Sequence, residues 1–482
     1  MTTTQPTRPQ AQPTDPAGVT GRLATWLSRL TADQVPERVR RRAAHLALDG
    51  VACALVGAKL PWSRTAVEAV RRLDGTGDSL VIGWGTTLPA PAACLLNGTF
   101  IQGFELDDYH PQAPLHSNSL VLPSVLATLG GVGPRTGRDV LTAVIAGFEV
   151  GPRVGLALHG GQMLTRGWHS GAVFGTHASA AASGVLRGLT AAQFEDALGL
   201  AATQSGGLMA AQYEAMSKRM HHGFAARNGY YAAGLAAAGY TGIKRVYERD
   251  YGGFLSTFGE GHDPQPAQIT AGLGDTWQTE TIAVKAYAAM GGTHAPADCV
   301  LHLRDTGLRA PDVAAIDVWV SEAVYHHGWW TPLEPPLETI GAQMNIGYAV
   351  AVALLDGEIL PRQFTRARIE STDVWDLLSR IQVHHEPAFD ATRENLTRAR
   401  VTITTRSGRQ HTTEVAGPRG GLTNPLSNAD IVTKSRTLTA DVTPPTTWQR
   451  IESLVLGLDD LDDVTELVEL LARPAHNLNI GL

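Results

Sequence analysis

The stretch PERVRRRAAHLALDGVACALVG, residues 36–57, sets Val39, Ala43, Leu46 and Gly50 at spacings of three and four, so one face of a helix is apolar and meant for a core. The same period extends from Val19 to about Gly259. RDVLTAVIAGFEVG (138–151) reads as a second apolar helix. LTAAQFEDALGLAA (189–202) opens with Thr190 and, three residues on, Gln193, the form of a capping box. The many Ala and Gly predict helices in close approach, and breaks such as GVGPRTGRD (131–139) read as connectors. This half of the chain is therefore expected to be a many-helix domain without a sheet.

Beyond about Asp275 the period changes. Ile316, Val318 and Val320 alternate in IDVWVSEAVY, and ARVTITTRSGRQHTTEV (399–415) reads as a hairpin turning at Ser407-Gly408. AQMNIGYAVAVALLDG (342–357) and VWDLLSRI (374–381) read as helices between them, which makes a smaller α+β unit. Helices return at the end: DDVTELVELLARP places Val464, Leu467, Val468 and Leu471 on one face and stops at Pro474. The expected organisation is a disordered polar tail over 1–17, a helical domain over 18–278, an α+β unit over 279–416 and a helical return over 417–482.

With 39 basic and 46 acidic residues, 43% hydrophobic and 18% charged, the chain has the balance of an ordinary globular protein. The net charge of −7 offers no basic stripe for nucleic acid or an acidic membrane surface. The first 17 residues lack the apolar run of a signal peptide, and nowhere do about 18 apolar residues follow one another, so a cytoplasmic protein is expected. Cys53, Cys94 and Cys299 are far apart, which argues against a disulfide framework, a thiolate zinc site or an iron–sulfur cluster and leaves them as small packing residues.

Four stretches concentrate groups able to move protons. FELDDYHPQAPLHSNS (104–119) crowds Glu105, Asp107, Asp108, Tyr109, His110 and His116 into a turn-forming segment. TRGWHSGAVFGTHASAAA (165–182) carries His169 and His177; MSKRMHHGFAARNG (216–229) sets Lys218 and His221 three apart; in VKAYAAMGGTHAPAD (284–298), His294 follows a Gly-Gly break and precedes a helix start. Each has a bland alternative, a solvated loop or a core histidine. The pairs His326-His327 and His384-His385 have no such setting and are expected on the surface. HExxH, a dinucleotide fingerprint after a strand, a G-x-S-x-G elbow and a P-loop are all missing, so neither metal nor cofactor is expected. Imidazoles, a lysine and carboxylates suffice for proton transfer α to a carboxylate, with the lysine stabilising enolate charge and an acid protonating the departing group.

At these stretches the chain resembles the MmgE/PrpD superfamily. The resemblance runs through LALDGVACALVG, NGTFIQGFELDDYHPQAPLHSNS, GWHSGAVFGTHASAAA, KRMHHGFAARNGYYAAGLAAAGYTG, YGGFLSTFG, KAYAAMGGTH, AVAVALLDG and GPRGGLTNPLSNADIVTKS in fixed order, nearly the whole chain. It implies a mainly α fold, a large all-helical domain with an inserted smaller α+β lid domain, in a homodimer. It also implies a cleft in which His116 or His169 acts as base, Lys218 pairs a carboxylate or enolate, and His294 is an opposing acid or substrate clamp. Glu105, Asp107, Tyr109 and His221 are the candidate substrate-binding residues, and the longer Glu105 and bulkier Tyr109 reshape the pocket relative to the family's usual DFDD-Thr loop. The leading expectation is a cofactor-independent hydro-lyase acting on a hydroxy di- or tricarboxylic acid, as 2-methylcitrate dehydratase does. A decarboxylase of a cis-aconitate-like acid or an epimerase would use the same groups, and a non-catalytic binding homologue is a further alternative.

Overall fold

A computed structural model describes residues 11–329, 334–392 and 396–476. The opening stretch forms helix Glu37–Ala58, buried from Leu46 to Ala58. It is held on one side by helix Ala90–Ile101 and on the other by helices Asn428–Thr439 and Pro445–Leu456, which return from the far end of the chain. Around this seam lie helices Ser117–Val132, Gly137–Ala157, Ser170–Arg187, Ala191–Ala202 and Ser217–Ala237. The predicted capping box is present, with Gln193 N donating to Thr190 Oγ1 at 3.3 Å and Thr190 N to Gln193 Oε1 at 3.0 Å. Helix Gly137–Ala157 is long and apolar enough to cross a membrane, but 94% of its apolar window is buried in protein, which makes it a core helix.

Small residues let helix backbones touch. A Cβ on Gly223 would lie 2.2 Å from Leu95 O, and one on Gly229 only 2.4 Å from Thr176 O. Helix Ser217–Ala237 is thereby pressed onto Ala90–Ile101 and Ser170–Arg187 at once, which fixes the height of the Lys218, His221 and His222 turn above its neighbours.

The α+β part contains one mixed sheet of four strands, in the order Ile381–His385, Val313–Val320, Ala399–Thr405, Gln410–Val415. Its first pair is parallel, with Ile316 opposite Ile381; the other two are antiparallel, with Ile316 opposite Ile403 and Val401 opposite Thr413. Val313, Ile316, Val318 and Val320 are buried, as the alternation predicts, and Gly408 takes the positive φ of 84° that its turn needs. Helix His294–Asp305 packs on the two hairpin strands, and the hydrophobic core continues unbroken from the helices into this sheet.

Two short strand pairs correct the expectation of a sheetless helical half. Ser79–Val81 pairs with Thr86–Leu88, and Asp108–Tyr109 pairs with Ala283–Val284. Strands of two or three residues are too short to show alternation, and the first pair is marked by the turn at Gly83 and Gly85, both with positive φ. Residues 1–10 of the expected tail lie outside the described residues. From residue 11 the chain is anchored: Ala192 N donates to Ala11 O at 3.1 Å, and Thr14 N to Glu195 Oε2 at 2.9 Å.

Gly229→Ala should therefore lower unfolding free energy by about 1–3 kcal/mol, the usual cost of overpacking. Gly131→Ala, where nothing lies within 4 Å of the new methyl, should leave stability unchanged or raise it by up to ~1 kcal/mol. Denaturant midpoints of the two variants measure this, and equal midpoints would contradict the close helix contact.

Candidate active site

Glu105 follows the short helical turn Gln102–Phe104 in a left-handed conformation, φ 55° and ψ 34°, which costs a residue with a Cβ about 1–2 kcal/mol. That backbone turn aims its carboxylate into the protein. One oxygen pairs with Lys218 Nζ; the other accepts from Lys285 Nζ at 2.7 Å. All three side chains are buried. Burial by itself would raise the Glu105 pKa, but Lys218, Lys285 and His116 outweigh it and hold the carboxyl well below its ordinary value. Lys218 is pulled down by burial, against the pull of Glu105 upward.

Beside this triad stand four imidazoles. His169 and His221 are hydrogen-bonded Nδ1 to Nδ1 at 2.8 Å, and the His169 ring stacks on His222 with centroids 5.0 Å apart. His116 lies 4.9 Å from the His222 centroid and bonds through Nδ1 to Asp107 Oδ1 at 3.0 Å, while its Nε2 makes no hydrogen bond to a described residue. His222 is bonded to Ser119 Oγ at 2.8 Å. Only a glycine fits at 171, since a Cβ there would meet His222 Nε2 at 2.2 Å. Burial first, and the neighbouring Lys218 and histidines second, push His169 well down; burial, His116 and then His169 do the same to His222. Burial and Lys218 lower His221. These three rings are neutral at pH 7.

His116 and His169 are the N-cap residues of helices Ser117–Val132 and Ser170–Arg187, and His294 is the first residue of helix His294–Asp305. Three positive helix ends thus meet two lysines, a setting for an anion with several charges. His294 Nε2–H donates to Ala289 O at 3.0 Å, and burial, then Lys285, push its pKa down to about 3, so Nδ1 carries a free lone pair. A cavity of about 590 Å³ opens beside His221, between Gly207, Leu208, Ala211 and Phe224.

Of the residues singled out from sequence, Glu105, Asp107, His116, His169, Lys218, His221 and His294 fall within this one neighbourhood. Tyr109 stands apart: it sits in the strand pair with residues 283–284, and no hydrogen bond among the described residues joins it to the imidazoles. Asp108 caps the helix behind His116, accepting from Ser117 N at 2.7 Å and Asn118 N at 3.0 Å. His177 is a core residue bonded to Tyr247 Oη at 2.8 Å, and His110 bonds Thr281 Oγ1 at 2.9 Å.

Lys285 and His222 join the site without a sequence signal of their own: Lys285 lies in the stretch whose marked residue is His294, and His222 adjoins His221. His327 is half-buried, and burial first and then the charge of Lys218 push it down to about 4, whereas His326 is exposed and His384 and His385 pair with Asp317 and Asp390. Arg219 braces the site from behind, donating to Gly103 O at 2.5 Å and to Gln343 Oε1 at 3.2 Å.

Residues 21–267 match the MmgE/PrpD N-terminal domain and residues 287–460 the MmgE/PrpD C-terminal domain. The chain is 42% identical to the cis-aconitate decarboxylase of Aspergillus terreus over 98% of this chain and 99% of that protein. It is 43% identical to the cis-aconitate decarboxylase-like protein oryM of Aspergillus oryzae, over 95% and 98% respectively. The human cis-aconitate decarboxylase is 27% identical over 95% of both chains.

The neutral imidazoles give a signed pH dependence. An arriving polyanion raises the pKa values of His169, His221 and His222 back toward, and not beyond, ~6.5, so at pH 7 the bound protein takes up a fraction of a proton while each ring stays mostly neutral. Affinity for a saturated tricarboxylate should rise as pH falls from about 8 to about 6. Calorimetry in two buffers of different ionisation enthalpy should show proton uptake at pH 7; release, or no exchange, would contradict the assignment.

Proposed function

The chain belongs to the MmgE/PrpD family and is a lyase-type enzyme, and from this we propose that it removes CO₂ from cis-aconitate or a close tricarboxylic analogue. The full-length likeness to fungal proteins named for that reaction carries this reading over loss of water, which the motifs alone had put first.

The chemistry asks for little. cis-Aconitate bears one carboxylate on a methylene and two on its double bond. When the bond to the methylene's carboxylate breaks, CO₂ leaves and the electron pair forms a new double bond to the former methylene carbon. The old π pair moves toward the carboxylate at the other end as a dienolate, and one proton delivered to the carbon α to it completes the product. No oxidant or reductant enters.

In this proposal Lys218 and Lys285, whose ammonium groups keep donors that Glu105 does not use, hold the carboxylate on which the dienolate charge grows. The departing carboxylate lies toward the neutral His169 and His222 rings, because a cation there would stabilise its charge before the bond breaks. His116, whose Nδ1–H is given to Asp107, takes a proton from solvent on Nε2 and delivers it from there to the dienolate carbon. His294 is set aside as the acid that the resemblance allowed, because its Nε2–H is committed to Ala289 O and its Nδ1 can only accept, while the ionised substrate has no donor to offer it; in this reading it lines the site. The homodimer implied by the resemblance belongs to the same proposal, and light scattering at the mass of a single chain would contradict it.

Incubated with cis-aconitate in deuterated water, the enzyme should release CO₂ and give a diacid with a terminal methylene and one deuteron on the carbon α to a carboxylate. Lys218→Met should lower kcat by about 10²- to 10³-fold, the scale of losing one charge-stabilising donor. Interconversion of a hydroxy acid and its alkene without CO₂ would instead restore the dehydratase reading.

A further inference from the structure

Lys434 lies outside every cluster that the sequence singled out for chemistry, on helix Asn428–Thr439 in the segment that returns from the far end of the chain. Its side chain is 9% exposed, and its ammonium does two things. It pairs at 2.7 Å with Asp49 Oδ1, a wholly buried carboxylate on helix Glu37–Ala58. It also donates at 2.5 Å to the carbonyl oxygen of Leu106. Leu106 is the residue between Glu105, which gathers the two lysines of the site, and Asp107, which orients His116. The charge of Lys434 is felt at Asp49 and at His294 as well.

The Glu105 backbone is in a left-handed conformation that a residue with a side chain does not hold without support, and Asp107 Oδ2 is buried without a hydrogen-bond partner among the described residues. Something must hold the peptide between them. Burying the Asp49–Lys434 pair costs several kcal/mol of desolvation per ion, and an apolar pair of similar size would serve stability as well or better. Helix Asn428–Thr439 packs along helix Glu37–Ala58, and buries Ile431, Ser435 and Leu438 besides.

We propose that Lys434 is a positioning residue of the active site: its bond to Leu106 O sets Glu105 and Asp107 at their working places, and Asp49 is there to keep it charged and aimed. The inference deepens the proposed function and rests on it for the turnover assay, while its binding arm does not.

The test compares two double variants in the full chain, Asp49→Asn with Lys434→Met and Asp49→Asn with Lys434→Gln. Both remove the buried charge pair together, so neither leaves an uncompensated ion, and their melting temperatures should be close to each other. They differ in one respect, since only the glutamine keeps an N–H that can reach the Leu106 carbonyl. The methionine double variant should lose about tenfold or more in kcat with cis-aconitate, in line with the cost of small misplacements of catalytic groups, and a similar factor in affinity for tricarballylate. The glutamine double variant should recover most of both. Equal kcat and equal tricarballylate affinity in the two variants would overturn the proposal, as would losses that follow melting temperature alone. If the unaltered enzyme binds tricarballylate but releases no CO₂ from cis-aconitate, the decarboxylase reading fails, and the affinities still decide the role of Lys434.

Discussion

Everything at the site hangs on one carboxylate between two ammonium groups. Glu105, Lys218 and Lys285 come from three separate segments, the end of a short helical turn, the start of helix Ser217–Ala237, and the stretch after strand Ala283–Val284. Their burial costs desolvation that a hydrophobic trio would not, and the left-handed backbone at Glu105 adds to it. Such an arrangement repays its cost only if the charges are used. Each lysine spends one contact on Glu105 and keeps further donors, so the triad presents a net positive face without leaving either cation free to collapse elsewhere.

The imidazoles complete what the lysines begin. His116 and His169 cap helices and His294 opens one, so the positive ends of three helices point toward the same anion. Burial keeps His169, His221 and His222 neutral, and of the site's four clustered rings His116 is the one hydrogen-bonded to a carboxylate. A neutral wall on one side and lysines on the other is a polarity along which electrons can flow from a departing carboxylate toward a retained one.

Much of the fold was legible because its helices are long and amphipathic, and the sheet strands Val313–Val320 and Ala399–Thr405 alternate over seven or eight residues. The strand pairs at 79–88 and 108–109 were not, because two or three residues carry no period. For the site, charged and imidazole groups inside apolar or glycine-rich surroundings were visible, which brought out Lys218, His169 and His294. Sequence does not show which neighbour a side chain turns toward. Asp107 and Asp108 are adjacent, yet one orients His116 and the other caps the helix behind it. His326 and His327 are adjacent, yet one is exposed and the other half-buried within reach of the charge of Lys218. Lys285 and Lys434 were invisible as site residues for a related reason, since their partners lie 180 and 328 positions away in the chain.

The most direct measurement of the central claim is a crystal structure of the enzyme with tricarballylate bound. The account predicts one carboxylate on Lys218 and Lys285 with Glu105 still between them, and His116 Nε2 within hydrogen-bond distance of the carbon chain's α position or its carboxylate. A ligand that leaves both lysines to Glu105 alone, with its carboxylates held elsewhere, would contradict it.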